Sequence, residues 1–303
     1  MKKTDVVIIG AGPAGLTAAL YASRAGAQVT IVESGAPGGK LNLTAEIENY
    51  TGIKKIAGPQ LAYDMYEHGL SFGASFEMAE VTGVTVEGDK KIVHLGDDAI
   101  EAKAVIIATG TKERKMNIPG EEEMTGRGVS YCAVCDGPFY RGKEVAVIGG
   151  GNSAIEEATY LSTIVDKVHV VMRRDVFRAD KIISDKALAA DNIVFHFKKK
   201  PAEVLSEDNK VVGLKVTDSD TNEPSVIPVS GIFPFVGADP ITGFVKDLGI
   251  LDERGYVLTD DNMETSIKGI YAIGDVRQKH LRQVITAASD GAIAGQHVAD
   301  SLI

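Results

Sequence analysis

The only two cysteines among the 303 residues stand together as Cys132-Ala133-Val134-Cys135. A C-x-x-C pair is a two-electron store, cycling between dithiol and disulfide by thiolate attack. Just downstream, Gly149-Gly150-Gly151-Asn152-Ser153-Ala154 has the form of a dinucleotide-binding turn. A second such turn, Gly10-Ala11-Gly12-Pro13-Ala14-Gly15, lies near the N-terminus. Two nucleotide sites and one dithiol suggest hydride chemistry that ends at sulfur. The rival readings are weaker. A closed zinc site needs four ligands, and no histidine pair at ligand spacing accompanies the cysteines. Two buried, inert thiols would be an ordinary packing choice, but not at this spacing and place.

These residues need elements to hold them, and a repeat supplies the elements. Asp5-Val6-Val7-Ile8-Ile9-Gly10 matches Glu144-Val145-Ala146-Val147-Ile148-Gly149. Carried on without a gap, the register places Gly12 on Gly151, Gly15 on Ala154 and the helix Leu16–Ala25 on Ile155–Ile164. It also places the strand Val29–Glu33 on Val168–Met172. Each copy reads as strand, glycine turn, helix and second strand, a βαβ unit suited to a parallel sheet covered on both faces. The glycines have separate tasks. The first permits the tight turn, and the second admits backbone to a pyrophosphate. The third, or an alanine, lets helix pack on strand, with the helix N-terminus facing phosphate.

The copies differ where the second strand ends. Glu33 can accept hydrogen bonds from ribose hydroxyls, which suits FAD or NAD. The second copy has Met172 there, followed by Arg173-Arg174 and then Arg178. Guanidinium groups in place of a carboxylate suit a 2′-phosphate, so this copy reads as the NADPH site. The alternative is that these arginines merely line a solvated helix start. Near the C-terminus, Thr265–Asp275 reads as an apolar strand ending in Gly274-Asp275. A carboxylate there could bind a ribityl hydroxyl, with the next helix aimed at flavin or phosphate. That favours FAD for the first copy.

Bulk properties exclude other classes. A net charge of -10 disfavours a nucleic-acid partner, and Lys198-Lys199-Lys200 reads as a solvated strand end. No run approaches a spanning helix, and the apolar start contains Asp5 and the first turn's glycines, so it is no cleaved leader. A cytoplasmic protein is expected, where paired cysteines are catalytic more often than structural.

At this point a family resemblance is specific. Cys132-Ala133-Val134-Cys135-Asp136-Gly137-Pro138-Phe139-Tyr140 followed by Val147–Ala154 resembles bacterial low-molecular-weight thioredoxin reductases. Arg173-Arg174-Asp175-Val176-Phe177-Arg178-Ala179 resembles their NADPH phosphate motif. Gly38-Gly39-Lys40-Leu41, Glu48-Asn49-Tyr50, Ala108-Thr109-Gly110, Gly274-Asp275-Val276 and Arg282-Gln283 resemble their flavin-contacting segments. The resemblance spans essentially the whole chain. It implies an α/β fold of two Rossmann-like domains, with an NADPH domain (113–242) inserted into an FAD domain (1–112 plus 243–303). The crossings fall near Gly110–Pro119 and Gly237–Gly243, and the family rotates one domain against the other.

The resemblance further implies electron flow from NADPH through FAD to Cys132–Cys135, then to thioredoxin. Cys135 would lie nearer the flavin, Cys132 would attack the partner disulfide, and Asp136 would supply a proton. The alternative reading of Asp136 from the sequence is an N-terminal helix cap. FAD contacts fall on Gly10, Gly12, Gly15, Glu33, Gly39, Lys40, Leu41, Asn49, Thr109, Gly110, Gly274, Asp275, Arg282 and Gln283. NADPH contacts fall on Gly149, Gly151, Asn152, Ser153, Ala154, Arg173, Arg174 and Arg178. A homodimer is implied. Lys40, Thr51, Met172 and Ile241 stand where the family often has glutamine, proline, histidine and asparagine. The remaining alternatives are a reductase of another thioredoxin-like or peroxiredoxin-linked protein, and a redox sensor without turnover.

Overall fold

The computed structural model describes residues 1–44 and 46–302. The chain forms two compact units. One comprises Met1–Asn42, Glu46–Lys112 and Asp239–Ile303, and the other comprises Leu43–Ala45 and Glu113–Ala238. The two segments that cross from one unit to the other, Thr111–Glu113 and Ala238–Pro240, pair as short strands.

The discontinuous unit is built on a seven-stranded sheet. The strand Lys2–Ile9 pairs in parallel with Val29–Glu33 on one side and Asp98–Ile107 on the other. Ile270–Ala272, from the far end of the sequence, joins Asp98–Ile107 in parallel. Because side chains alternate along a strand, its two faces feed different cores. Val6, Ile8, Ile31 and Ile106 pack under the helices Pro13–Arg24 and Val284–Ser301. Val7, Ile9, Val32 and Ile107 pack with Val245, Ile250 and Val257. The two helices meet backbone to backbone. A Cβ on Gly291 would stand 2.3 Å from the Ala14 carbonyl oxygen, so only glycine allows this approach.

The second unit has a four-stranded parallel sheet, with Glu144–Ile148 between Lys167–Val171 and Gly231–Pro234, and Ile193–His196 at the edge. Val145, Val147, Val168, Val170 and Phe233 face the helices Asn152–Ser162 and Lys181–Leu188. Ala146, Ile148, Val171 and Ile232 face a three-stranded antiparallel layer through Val204, Leu214, Val216 and Ile227.

Three sequence expectations change in detail. Both fingerprint helices begin three residues earlier than expected, at Pro13 and Asn152, because the middle glycine of each turn is the N-cap. The expected strand Thr265–Asp275 contracts to Ile270–Ala272, and Gly274–Val276 turns as a short 3-10 segment. Consequently no α-helix opens directly behind Asp275; the next one starts at Val284. Among the described residues, no helix is long and apolar enough to cross a membrane.

Candidate active site

In the discontinuous unit the first turn is a cradle with one open side. Gly15 admits no side chain, since a Cβ would lie 2.0 Å from the Gly10 carbonyl oxygen. Gly12 has nothing within 4 Å of that position, and it caps Pro13–Arg24 without any side-chain bond. The first-turn amides therefore stay available, as a phosphate requires. Glu33 braces the turn by accepting the N–H groups of Ala11 and Gly35, both at 2.9 Å. A carboxylate has further acceptor capacity for ribose hydroxyls. Gly39 approaches Gly12, whose Cα lies 3.4 Å from where a Gly39 Cβ would stand. Leu41 is buried with Ile47, Leu61 and Ala62, so it anchors the loop.

Gly274-Asp275 closes on the same cradle: a Cβ on Gly274 would lie 2.9 Å from that of Ala14. The Asp275 carboxylate is half-buried and, among the described residues, makes no hydrogen bond. Burial holds its pKa above the ordinary value, against the pull of Lys40, Lys279 and Arg282. A polyol hydroxyl would satisfy this carboxylate, so the residues present fit a flavin nucleotide. Arg282 holds the turn, donating to the carbonyl oxygens of Asp275 (3.1 Å) and Arg277 (3.2 Å) while stacking 4.2 Å over Tyr256. Asn49 reaches Gln283, Nδ2 to Oε1, at 3.0 Å. Gln283 also closes a capping box with Thr286. Thr109 donates to the Ile241 carbonyl at 2.7 Å, and the Gly110 carbonyl accepts the Ile241 N–H.

Sequence reading missed the group beneath this turn. Asp290 accepts from the Gly274 N–H (3.0 Å), Lys279 (2.7 Å) and Arg277 (3.2 Å) and is 6% exposed. Its signal was a carboxylate on the apolar stripe of Val284–Ser301, between Ala287 and Ala294.

The second unit repeats the cradle with other fittings. A Cβ on Gly149 would lie 2.5 Å from the Phe235 carbonyl oxygen, while Gly151 is open and caps Asn152–Ser162. Met172 is buried under the turn, its Cε 2.6 Å from where a Gly150 Cβ would stand, so it packs and does not face a ligand. The Arg178 and Ala179 amides donate to the Gly150 carbonyl, folding the arginine segment over the turn. Asn152 and Asp180 exchange two hydrogen bonds of 2.8 Å that fix this fold. Arg173, Arg174 and Arg178 are exposed, as is Ser153. Among the described residues no carboxylate pairs with those guanidinium groups. Ala154 is buried against the sheet.

The redox pair belongs to the same unit. Cys132 and Cys135 form a disulfide across the single-turn helix Ala133–Asp136, with Cα atoms 5.3 Å apart. Cys132 is its N-cap: the Cys135 N–H donates to Cys132 Sγ at 3.0 Å, an arrangement that favours negative charge on that sulfur. Ser130 Oγ holds the Cys132 backbone, accepting its N–H at 3.1 Å. Asp136 ends this helix and stands at the N-cap position of the 3-10 turn Gly137–Tyr140, without a side-chain cap bond. Tyr131 donates to Glu121, a buried carboxylate that also accepts the amides of Met116 and Asn117. Phe139, which the sequence did not single out, is 75% exposed in the 3-10 turn Gly137–Tyr140 that follows the pair. His169 is structural, bonded to Glu144 (2.7 Å) and His196 (2.9 Å).

Residues 4–291 match the pyridine nucleotide-disulphide oxidoreductase family. A thioredoxin reductase of Listeria monocytogenes is 46% identical over 97% of this chain and 92% of its own length. The crystal structure of Lactococcus lactis thioredoxin reductase superposes with a TM-score of 0.96 at 47% identity, covering 98% of both chains. That of T. acidophilum thioredoxin reductase gives 0.96 at 36% identity, covering both chains completely. The chain thus belongs to the thioredoxin reductases of the pyridine nucleotide-disulphide oxidoreductase family.

Proposed function

We propose that this chain is an NADPH-dependent thioredoxin-disulfide reductase using FAD, with Cys132 and Cys135 as its redox pair. The observation that carries the reading is a single unit holding both an accessible disulfide and a nucleotide cradle fringed by exposed arginines. Bound FAD would supply two-electron transfer between the pyridine nucleotide and the disulfide. The protein's own residues do the rest. Gly10, Gly12 and Gly15 with the amides behind them hold the flavin nucleotide's pyrophosphate, Glu33 its ribose and Asp275 its ribityl chain. Gly39, Lys40, Asn49, Thr109, Gly110, Arg282 and Gln283 shape the remainder of that site. Gly149, Gly151, Asn152, Ser153 and Ala154 hold NADPH, and Arg173, Arg174 and Arg178 its 2′-phosphate, by charge-assisted bonds.

Reduction breaks the Cys132–Cys135 bond with two electrons and one proton, leaving one thiolate and one thiol. Cys132, favoured as the thiolate by the Cys135 N–H, attacks the disulfide of thioredoxin. Cys135 then attacks the mixed disulfide, releasing reduced thioredoxin and closing Cys132–Cys135 again. Asp136 holds the proton for the departing thiolate. The exposed Phe139 ring offers the partner an apolar contact. A homodimer is part of this reading. The setting is cytoplasmic.

Thioredoxin reduction by the yellow protein, run in parallel with NADPH and NADH, tests the reading. Turnover with NADPH alone is expected. Flavin reduction without thioredoxin turnover would redirect the search to another disulfide protein, and no flavin reduction by either nucleotide would refute the donor.

A further inference from the structure

The fingerprint helix Asn152–Ser162 carries a carboxyl group that the reaction above does not use. Glu157 is 8% exposed, and its Oε2 has no hydrogen-bond partner among the described residues. An unpartnered buried carboxylate is costly, so the group stays protonated or serves something nearby. Its surroundings identify the neighbour. Residues at i, i+3, i+4 and i+7 share one helical stripe. From Glu157 that stripe runs through Tyr160 and Leu161 to Ile164, just past the helix end. These same three side chains close on Gly137: a Cβ there would lie 2.8 Å from Leu161 Cδ2 and 3.8 Å from both Ile164 Cδ1 and Tyr160 Cε1. Gly137 directly follows the redox turn Ala133–Asp136, and Ala133 is buried in the cluster that contains Ala158 and Leu161. Glu157 therefore stands on the stripe that backs the redox segment.

We propose that Glu157 is a positioning residue of the redox centre: a carboxylic acid behind the Cys132–Cys135 turn whose charge sets the balance between thiol and thiolate after reduction. The inference rests on the reading of Cys132 and Cys135 as the redox pair. Reduction leaves one negative charge at sulfur. A neutral Glu157 tolerates that charge, and an ionised one opposes it across a low-dielectric interior. Few other groups compete. The sheet face beneath the helix presents Val145, Val147, Val168, Val170, Ile193 and Phe195, while His169 and His196 bond each other on the opposite face. The redox segment adds Asp136 and Tyr140, the helix itself adds Glu156 and Tyr160, and the neighbouring helix pairs Lys181 with Asp185 in solvent. Burial, with the Glu156 charge behind it, pushes Glu157 up to about 8, within the range where thiols titrate.

The experiment uses the full-length, FAD-loaded Cys135→Ser protein, in which Cys132 is the single thiol. The rate of Cys132 alkylation by iodoacetamide is followed against pH, with the flavin spectrum as a check on integrity. Two inflections are expected, one for Glu157 and one for the thiol. Adding Glu157→Gln should leave one inflection and raise the rate near pH 8–9 by about three- to tenfold. One inflection in Cys135→Ser itself, or an unchanged profile on adding Glu157→Gln, overturns the proposal. Should the Gln variant fail to fold, the single-variant profile still decides. Failure of the redox-pair reading looks different: the wild-type protein would not turn over thioredoxin, whatever the shape of the alkylation curve.

Discussion

The two glycine cradles are built alike and finished differently. In each, the first glycine presses against backbone, the third position (Gly15 or Ala154) packs against the strand, and the middle glycine opens onto free space. The difference lies at the second strand's end. In the first copy Glu33 turns back to brace its own loop. In the second, Met172 fills the space under the turn, and exposed guanidinium groups begin at the next residue. One cradle is also closed from a remote part of the sequence by the Gly274–Val276 turn over Asp290. The other is backed by the redox turn and Glu157. In the proposed reading, shared backbone geometry would provide phosphate binding, and the side chains at its margins would decide which nucleotide is taken and what else is coupled to it.

The largest effect expected from breaking this contrast is at sulfur. Cys135→Ser should abolish thioredoxin reduction while the protein stays yellow, measured by turnover and by the flavin spectrum. Retained turnover would sink the proposed electron path. Next comes the support of the first cradle. Asp290→Ala leaves the largely buried Arg277 and Lys279 without their carboxylate, at a cost of about 3 kcal/mol. Loss of FAD and of thermal stability should appear together by calorimetry, and the isolated Cys132–Cys135 chemistry should respond only indirectly. Undiminished flavin affinity would show that the clamp is not what holds Asp275.

A comparable but pH-selective effect is expected at Glu157. Its folded-state pKa of about 8 lies above the ordinary 4.5, so its contribution to stability is complete below about pH 4.5 and is lost as pH rises towards 8. Glu157→Gln should remove that slope, gaining on the order of 3 kcal/mol at pH 8 in denaturant melts. Parallel stability curves for the two proteins would contradict it. The smallest effect should come from the second cradle's margin. Arg173→Ala with Arg174→Ala should raise KM for NADPH by about 10- to 100-fold and leave NADH nearly unchanged, since a hydrogen bond to a charged group is worth about 1.5–3 kcal/mol. Equal changes for both nucleotides would refute the 2′-phosphate assignment.

The glycine turns, both βαβ units and the C-x-x-C pair were legible because their constraints are local. Glycine is demanded by backbone approach within a few residues, and alternation marks the strands directly. The reach of Met172 was not legible: a side chain at a strand's end faces ligand or core according to what packs behind Gly150, which only the fold determines. Asp290 and Glu157 show a middle case. Each interrupts an apolar helical stripe, a visible irregularity, yet its meaning depends on partners distant in sequence. Asp290 finds two cations and an amide; Glu157 leaves its Oε2 without a partner among the described residues. The length of the strand before Asp275 was overestimated because an apolar run does not distinguish a ladder from a buried turn.

The discontinuous unit has a consequence for biogenesis. Its sheet lacks the strand Ile270–Ala272, and its first helix lacks the Val284–Ser301 partner, until the last part of the chain is made. Between these pieces, 126 residues of the other unit emerge, from Glu113 to Ala238. The inserted unit has its own sheets and cores and can complete on the ribosome, whereas the first 112 residues wait with apolar surface uncovered. Final closure joins residues more than 250 positions apart, such as Ala14 and Gly291, and pairings of that separation form slowly. Folding of this protein should therefore be paced by the return of its C-terminal segment, with chaperone demand concentrated on the early N-terminal piece.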